Sequence, residues 1–191
     1  ILYSIYFNFN LGFNSYLITL TISLSLGLIF YYIGKNFYKK ISLTDQIIFI
    51  LLSFILIPAL ISIPFLYSIY NISFLNAYFE SVSGFTATGF TIIENIKVID
   101  EPLILWRSSS QWMGGLFFLI ITIGTIGSKQ IKIKPCYLIS GGASGRNFYN
   151  KFNDNFFKIF IIYFSTTILV IFIYNLIGLR LLDAFNLAFT T

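Results

Sequence analysis

The chain has 191 residues, of which 57% are hydrophobic and only 10% charged, with a net charge of +5. Soluble domains carry about 25% charged residues, so this composition excludes an ordinary soluble domain and indicates a membrane protein. The single cysteine, Cys136, and the lack of histidine exclude a disulfide within these residues and argue against a zinc or haem site.

Four apolar segments are long enough to cross a bilayer, which takes about 20 residues of helix. They are residues 12–34, 46–67, 102–127 and 156–178. Pro58 and Pro64 predict a kink in the second segment unless the helix ends near Pro64. Asp100, Glu101 and Pro102 are typical of a helix start before the third. The predicted fold class is an all-α, polytopic membrane protein.

The basic residues predict the orientation, because cytoplasmic loops of membrane proteins are enriched in lysine and arginine. One group lies between the first two segments and another between the last two: Lys35, Lys39 and Lys40, then Lys129, Lys132, Lys134, Arg146, Lys151 and Lys158. Both connections are therefore expected in the cytoplasm. Residues 68–101 carry four acids against Lys97 and are expected outside. Topology thus explains the positive charge, and no nucleic-acid partner is expected.

The outer connection contains a segment too short to span and too apolar for a solvated loop, SFLNAYFESVSGF at 73–85. Ser73 is a suitable N-cap, and apolar residues follow at helical spacing. This pattern predicts a half-helix that re-enters the membrane from outside, with TATGF (86–90) directly after it. Non-helical backbone at that depth is tolerated only where protein buries it or where it lines a wet cavity.

Two interpretations of residues 86–90 fit the spacing and composition equally. The carbonyl oxygens of an extended strand can replace the water shell of an ion, and the C-terminus of the half-helix favours a cation nearby. Gly89 would then supply backbone angles that other residues adopt at a cost. The alternative is a re-entrant turn that is packed for structural reasons only.

A weak internal repeat predicts the organisation of the rest of the chain. FLNAYF (74–79) and LLDAFN (181–186) both follow an apolar span, so a second half-helix is expected near Leu181, with its strand following Thr191. The predicted divisions are an N-terminal helix and link, one complete helix–pore loop–helix unit, a cytoplasmic loop and the start of a second unit: 1–43, 44–127, 128–153 and 154–191.

Two motifs carry a family resemblance: ESVSGFTATGFT (80–91) and LWRSSSQWMGG (105–115). They resemble the first pore repeat of the bacterial TrkH/TrkG potassium uptake subunits, in the superfamily of KtrB and the plant HKT transporters. The resemblance implies potassium-channel-like repeats and a filter whose backbone carbonyls bind potassium, at Thr86, Ala87, Thr88, Gly89 and Phe90. A filter glycine goes with potassium in this family and a first-repeat serine with sodium, so Gly89 favours potassium.

The resemblance also implies partners and a location. Potassium is the expected transported ion, with no cofactor and no enzyme activity, in a multi-pass protein of the bacterial inner membrane. A cytoplasmic nucleotide-binding regulatory subunit of the TrkA type and a homodimer are expected. Coupling to protons or sodium (symport), a sodium-permeable relative and a non-conducting assembly module stay open. SGGASGR (140–146) lacks the spacing of a phosphate-binding loop.

Two ionisable residues fall in segments expected within or near the membrane, Glu80 and Arg107. Such groups are usually paired or functional, so we expect them to pair and hold the filter in place. The alternative is that both side chains extend to the outer water. The small polar residues at 108–115 are interpreted as a close-packing surface of the third span rather than as ion ligands.

Overall fold

The computed structural model describes residues 13–35, 43–69, 71–93, 99–126 and 148–191, and every regular element in these ranges is an α-helix. The six helices are α1 (Phe13–Lys35), α2 (Leu43–Ser68), α3 (Phe74–Phe85), α4 (Glu101–Ile126), α5 (Phe148–Leu176) and α6 (Leu181–Thr190). The predicted fold class is confirmed. Within the described ranges, three stretches are long and apolar enough to cross a membrane: Phe13–Lys35, Thr44–Ser68 and Phe156–Leu176.

The third predicted span, 102–127, is helical over its described residues, 102–126, but it is less apolar than the other three. α4 has 26 residues, and at about 1.5 Å per residue it is long enough to span. Arg107, the serines that follow it and Gln111 lower its hydropathy. Most of these polar side chains are buried or half-buried against other helices, so α4 meets protein on several sides rather than lipid.

One helix ends where the sequence predicted and another begins earlier than expected. α2 passes through both prolines and ends at Ser68, one residue beyond the predicted segment 46–67, so it does not end near Pro64. α5 begins at Phe148, inside the segment predicted as the loop 128–153. The remainder of that loop lies outside the described residues, with Cys136, the SGGASGR segment and the basic residues from Lys129 to Arg146. Lys39, Lys40, Glu94 and Lys97 lie outside them as well.

The half-helix predicted at 73–85 forms as α3. Its N-terminus is capped by Ser73, whose hydroxyl oxygen accepts a hydrogen bond from the Asn76 amide at 3.2 Å. At its C-terminus the Phe85 ring lies 5.5 Å from the rings of both Phe54 and Phe117. These aromatic contacts, together with a buried core around Phe65, hold the end of α3 between α2 and α4.

The second short helix, predicted near Leu181, begins at that residue. It packs against α4 and α5 around Trp112, whose ring centroid lies 5.1 Å from that of Tyr163 and 5.7 Å from that of Phe189. The indole Nε1 of Trp112 donates to Thr167 Oγ1 at 2.9 Å. Because α4 contacts α3 as well as α5 and α6, it is the helix shared by the two short helices.

Candidate functional site

The loop of residues 86–90 turns its backbone N–H groups back towards the C-terminus of α3. Four consecutive residues donate to the last carbonyl oxygens of the helix: Thr86 to Val82 (2.9 Å), Ala87 to Gly84 (3.0 Å), and Thr88 and Gly89 to Ser83 (3.0 and 3.4 Å). These bonds satisfy carbonyl groups that a helix end otherwise leaves without partners. The loop is therefore held against α3 through its donors.

The carbonyl groups of the same loop consequently point away from α3. In a trans peptide the C=O of one residue and the N–H of the next point in opposite directions, and no described peptide bond is cis. The oxygens of Thr86, Ala87 and Thr88 thus face away from the helix end. All three residues are exposed, and no hydrogen bond from a described residue reaches those oxygens. They are available to a ligand on the exposed side.

The loop takes this shape through backbone angles of alternating sign. The angle φ is −84° at Thr86, +55° at Ala87 and +80° at Gly89. Gly89 therefore needs its conformational freedom, as expected, because residues with a Cβ rarely adopt positive φ. Ala87 adopts such an angle without that freedom, at a cost of about 1–2 kcal/mol. The packing of the loop against α3 compensates for this strain.

The other two predicted ligands, Gly89 and Phe90, are arranged differently. Arg107 Nη2 donates to the Gly89 carbonyl oxygen at 3.2 Å and to that of Phe90 at 3.0 Å. A guanidinium this close puts positive charge beside both oxygens, which opposes a bound cation. Of the five predicted ligands, the carbonyl oxygens of residues 86–88 accept no hydrogen bond from a described residue, whereas those of Gly89 and Phe90 accept from Arg107.

Glu80 and Arg107 are in direct contact behind this loop. Arg107 Nε donates to Glu80 Oε2 at 3.1 Å, and the Glu80 side chain is fully buried while that of Arg107 is 21% exposed. The second carboxylate oxygen, Oε1, accepts from the Thr91 hydroxyl and from the Ile92 amide, each at 2.7 Å. Glu80 therefore joins α3 to α4 and to the segment leaving the loop.

Small residues allow α4 to lie against the end of α3. A Cβ built at Gly114 would overlap the backbone of Phe85, and one built at Gly84 would overlap the Ser110 hydroxyl. The two helices can approach this closely only because both positions are glycine. The small residues of 108–115 thus serve close packing, in line with the sequence interpretation.

A cavity of about 160 Å³ lies next to the segment that leaves the loop, between α2, α4 and α6. Its lining is mostly apolar, with polar groups from Thr91, Arg107, Ser108, Asn186 and Thr190. None of residues 86–90 lines it. The cavity is therefore separate from the three outward-facing carbonyl oxygens.

The chain is similar in sequence to potassium uptake proteins of the Trk system. The chain is 23% identical over 180 residues to the potassium uptake protein TrkH of Halomonas elongata, covering 93% of this chain and 37% of the relative. It is 37% identical over 75 residues to TrkI of the same organism, covering 39% and 15%. The resemblance to the Trk potassium uptake proteins is confirmed.

A further relative is similar over most of this chain. An uncharacterised cation transporter of Methanocaldococcus jannaschii is 28% identical over 165 residues, or 80% of this chain and 32% of that protein. The chain spans about a third of the length of this relative and of TrkH. No family model and no solved structure matches. The relatives are transporters rather than enzymes, and with the three apolar helices they identify a multi-pass membrane protein.

The structure brings all seven predicted site residues into one region, at the C-terminal end of α3 and the facing side of α4. Sequence reasoning missed two features of this region. It did not single out Ser83, which receives two of the loop amides, and it did not anticipate the positive φ of Ala87. Nothing in the SVSG segment distinguishes Ser83 from Ser81, and alanine carries no mark of unusual backbone angles.

Proposed function

We propose that this chain is part of the pore-forming subunit of a Trk-type potassium uptake system. In this proposal the carbonyl oxygens of Thr86, Ala87 and Thr88 bind potassium in place of water. The observation that supports it is the set of amide bonds from the loop to α3, which leaves three successive oxygens exposed and facing away from the helix. The Trk names of the relatives supply the identity of the ion.

Electrostatics favour a cation at this position. The C-terminus of α3 carries partial negative charge, and three carbonyl dipoles add to it on the exposed side of the loop. The membrane potential then supplies about 2.3 kcal/mol per charge per 100 mV for inward movement. Uptake along the electrochemical gradient needs no cofactor and no reaction in the protein.

Three oxygens do not complete a potassium shell, so the proposal requires further strands around the same axis. α6 follows α5 as α3 follows α2, and both short helices pack against α4. This repeated arrangement supports a path built from several similar units, as the resemblance implies. A regulatory subunit of the TrkA type, a homodimer and coupling to a second ion remain part of the proposal.

The experiment is potassium-dependent growth of cells that lack their own uptake systems, complemented by the full-length protein. We expect Gly89→Ala to reduce growth at low potassium, and uptake of the potassium analogue rubidium, about tenfold, because a Cβ at φ +80° strains the loop by about 1–2 kcal/mol. Gly178→Ala is the matched control: φ there is +93° and a Cβ meets nothing within 4 Å, as at Gly89. It should retain uptake.

The outcomes separate the candidate functions. Loss of uptake in Gly89→Ala alone, with equal amounts of protein in the membrane, supports the proposal. Undiminished uptake in Gly89→Ala, or an equal loss in Gly178→Ala, would count against residues 86–88 as the ion-binding segment. Sodium uptake that equals rubidium uptake in the unchanged protein would favour the sodium-permeable alternative, and no uptake of either ion would favour a non-conducting module.

A further inference from the structure

Ser83 contacts the 86–90 loop through its backbone and through its side chain. Its carbonyl oxygen accepts from the amides of Thr88 and Gly89. Its hydroxyl donates to the carbonyl oxygen of Phe90 at 2.6 Å. The residue is 4% exposed, so water competes little for these bonds. One serine therefore holds the middle and the end of the loop.

The hydroxyl bond is unusual for a serine in a helix. Helical serines commonly donate to the carbonyl oxygen three or four residues earlier. Ser81, on the same helix and fully buried, does so: its hydroxyl donates to Ala77 at 2.8 Å. The hydroxyl of Ser83 instead reaches seven residues forward along the chain, to the loop. The Ser83 hydroxyl therefore bonds to the loop and not to its own helix.

The bond lies two residues beyond the run of outward-facing carbonyls, which ends at Thr88. The oxygens of residues 86–88 face away from α3, whereas the Phe90 oxygen faces Ser83 and Arg107. A carbonyl oxygen has two lone pairs, and at Phe90 both are engaged by these two donors. The Phe90 carbonyl group is thereby held facing inward, and the backbone between Thr88 and Phe90 has little freedom to turn.

We propose that Ser83 is a positioning residue that determines the preference for potassium over sodium. This inference rests on the proposed function, because it concerns the spacing of the oxygens that the function uses. In the cavity-size account of selectivity, a ring of carbonyl oxygens favours the larger ion while the oxygens are kept from closing around the smaller one. Ser83 prevents this movement by holding both the amide side and the exit of the loop.

The test is Ser83→Ala in the full-length protein, with Ser81→Ala as the matched control. Both variants remove one buried hydroxyl from the same helix, but only the first contacts the loop. We expect the ratio of rubidium to sodium uptake to fall about five- to tenfold in Ser83→Ala, which corresponds to the loss of one hydrogen bond. Ser81→Ala should keep the ratio and lose only thermal stability.

Ser83→Thr serves as the rescue variant, because it retains the hydroxyl and should restore the ratio. If its additional methyl group lowers the melting temperature, Ser83→Cys fills nearly the same volume with a weak donor and should behave like Ser83→Ala. Equal ratios in the Ser83→Ala and Ser81→Ala variants would overturn the inference while the unchanged protein still favours rubidium. A failure of the unchanged protein to take up rubidium would instead count against the proposed function.

Discussion

The carboxylate of Glu80 has no exposed surface, yet three donors from two parts of the chain surround it: Arg107 on α4, and the neighbouring residues Thr91 and Ile92. A buried charge is tolerated only when such partners replace water. Arg107 in turn donates to two loop carbonyl oxygens, so the pair also fixes the end of the 86–90 loop. At the scale of single residues, the loop is positioned by charge behind it and by Ser83 beside it.

We therefore expect strong coupling between Glu80 and Arg107 in a double-mutant cycle. Glu80→Gln and Arg107→Gln should each lower the melting temperature and rubidium uptake, because each leaves an unpaired group near the loop. The free energy of unfolding lost in the double variant should be smaller than the sum of the two single losses, by about 0.5–3 kcal/mol. Denaturation in detergent and uptake assays give the two measurements, and additive losses would contradict the pairing role.

The exposed pair Arg180–Asp183 offers a control cycle in the same protein. Its Nε–Oδ2 distance is 2.9 Å, but the two side chains are 75% and 39% exposed. Exposed pairs contribute about 0.2–1 kcal/mol, so the coupling there should be small. A coupling as large as that of Glu80 and Arg107 would mean that burial is not what gives the inner pair its strength.

Part of this residue-level structure could be predicted from the sequence. Two opposite charges in apolar segments indicated a contact, and a glycine after three small residues indicated a positive φ. The hydrogen bonds of Arg107 to the Gly89 and Phe90 oxygens could not be predicted, because they depend on how far α4 lies from the loop. That distance is set by packing, which local sequence does not encode.

At the scale of secondary-structure elements, Gly114 sets the distance between α4 and the end of α3. The Phe85 backbone occupies the space that a side chain at position 114 would need, so α3 and α4 meet through bare backbone at this point. The neighbouring Gly115 similarly leaves room for the Tyr163 hydroxyl, which donates to the Trp112 carbonyl oxygen at 3.1 Å. Adjacent glycines thus allow close contacts on two sides of α4.

Gly114→Ala should displace the end of α3 and with it the 86–90 loop. We expect the free energy of unfolding to fall by about 1–3 kcal/mol, which is typical of an overpacked core, and rubidium uptake to fall as well. Gly27→Ala in α1 is the control, since a Cβ there meets nothing within 4 Å. Thermal unfolding in detergent, together with uptake, measures both effects. Unchanged stability in Gly114→Ala would show that the two helices are free to separate.

Capping chemistry predicted the starts of α3 and α4, at Ser73 and at Asp100–Pro102, and the internal repeat predicted the start of α6 at Leu181. The start of α5 at Phe148 was not predicted. α2 runs through Pro64 to Ser68, close to the predicted end at 67; it packs against α3 and α4, and Trp106 Nε1 donates to the Ile61 carbonyl oxygen at 3.1 Å. The helix propensity of the α2 sequence alone does not predict these contacts with other helices.

The orientation in the membrane belongs to the scale of the whole molecule. The basic connections predict that the short helices α3 and α6 enter from the outer side and that the connection before α5 faces the cytoplasm. The ion would then meet the 86–90 loop before it reaches the cytoplasmic half of the protein. This direction agrees with uptake driven by a negative interior.

Cys136 provides a test of this orientation. After any other cysteines of the full-length protein are replaced, a membrane-impermeant maleimide should label Cys136 only in inside-out vesicles or after permeabilisation. A cysteine placed at Tyr67, which is exposed near the outer end of α2, should be labelled in intact cells. The reverse pattern would invert the topology and the proposed direction of transport.

α4 connects the two short helices through neighbouring residues. Arg107 contacts the 86–90 loop, while Ser108 donates to Asn186 Oδ1 at 2.7 Å and Gln111 donates to the Thr190 carbonyl oxygen at 3.3 Å. A slide of α4 along its own axis would therefore alter both contacts at once. Under the proposed function, an ion that displaces the 86–90 loop would therefore also act on α6, through α4.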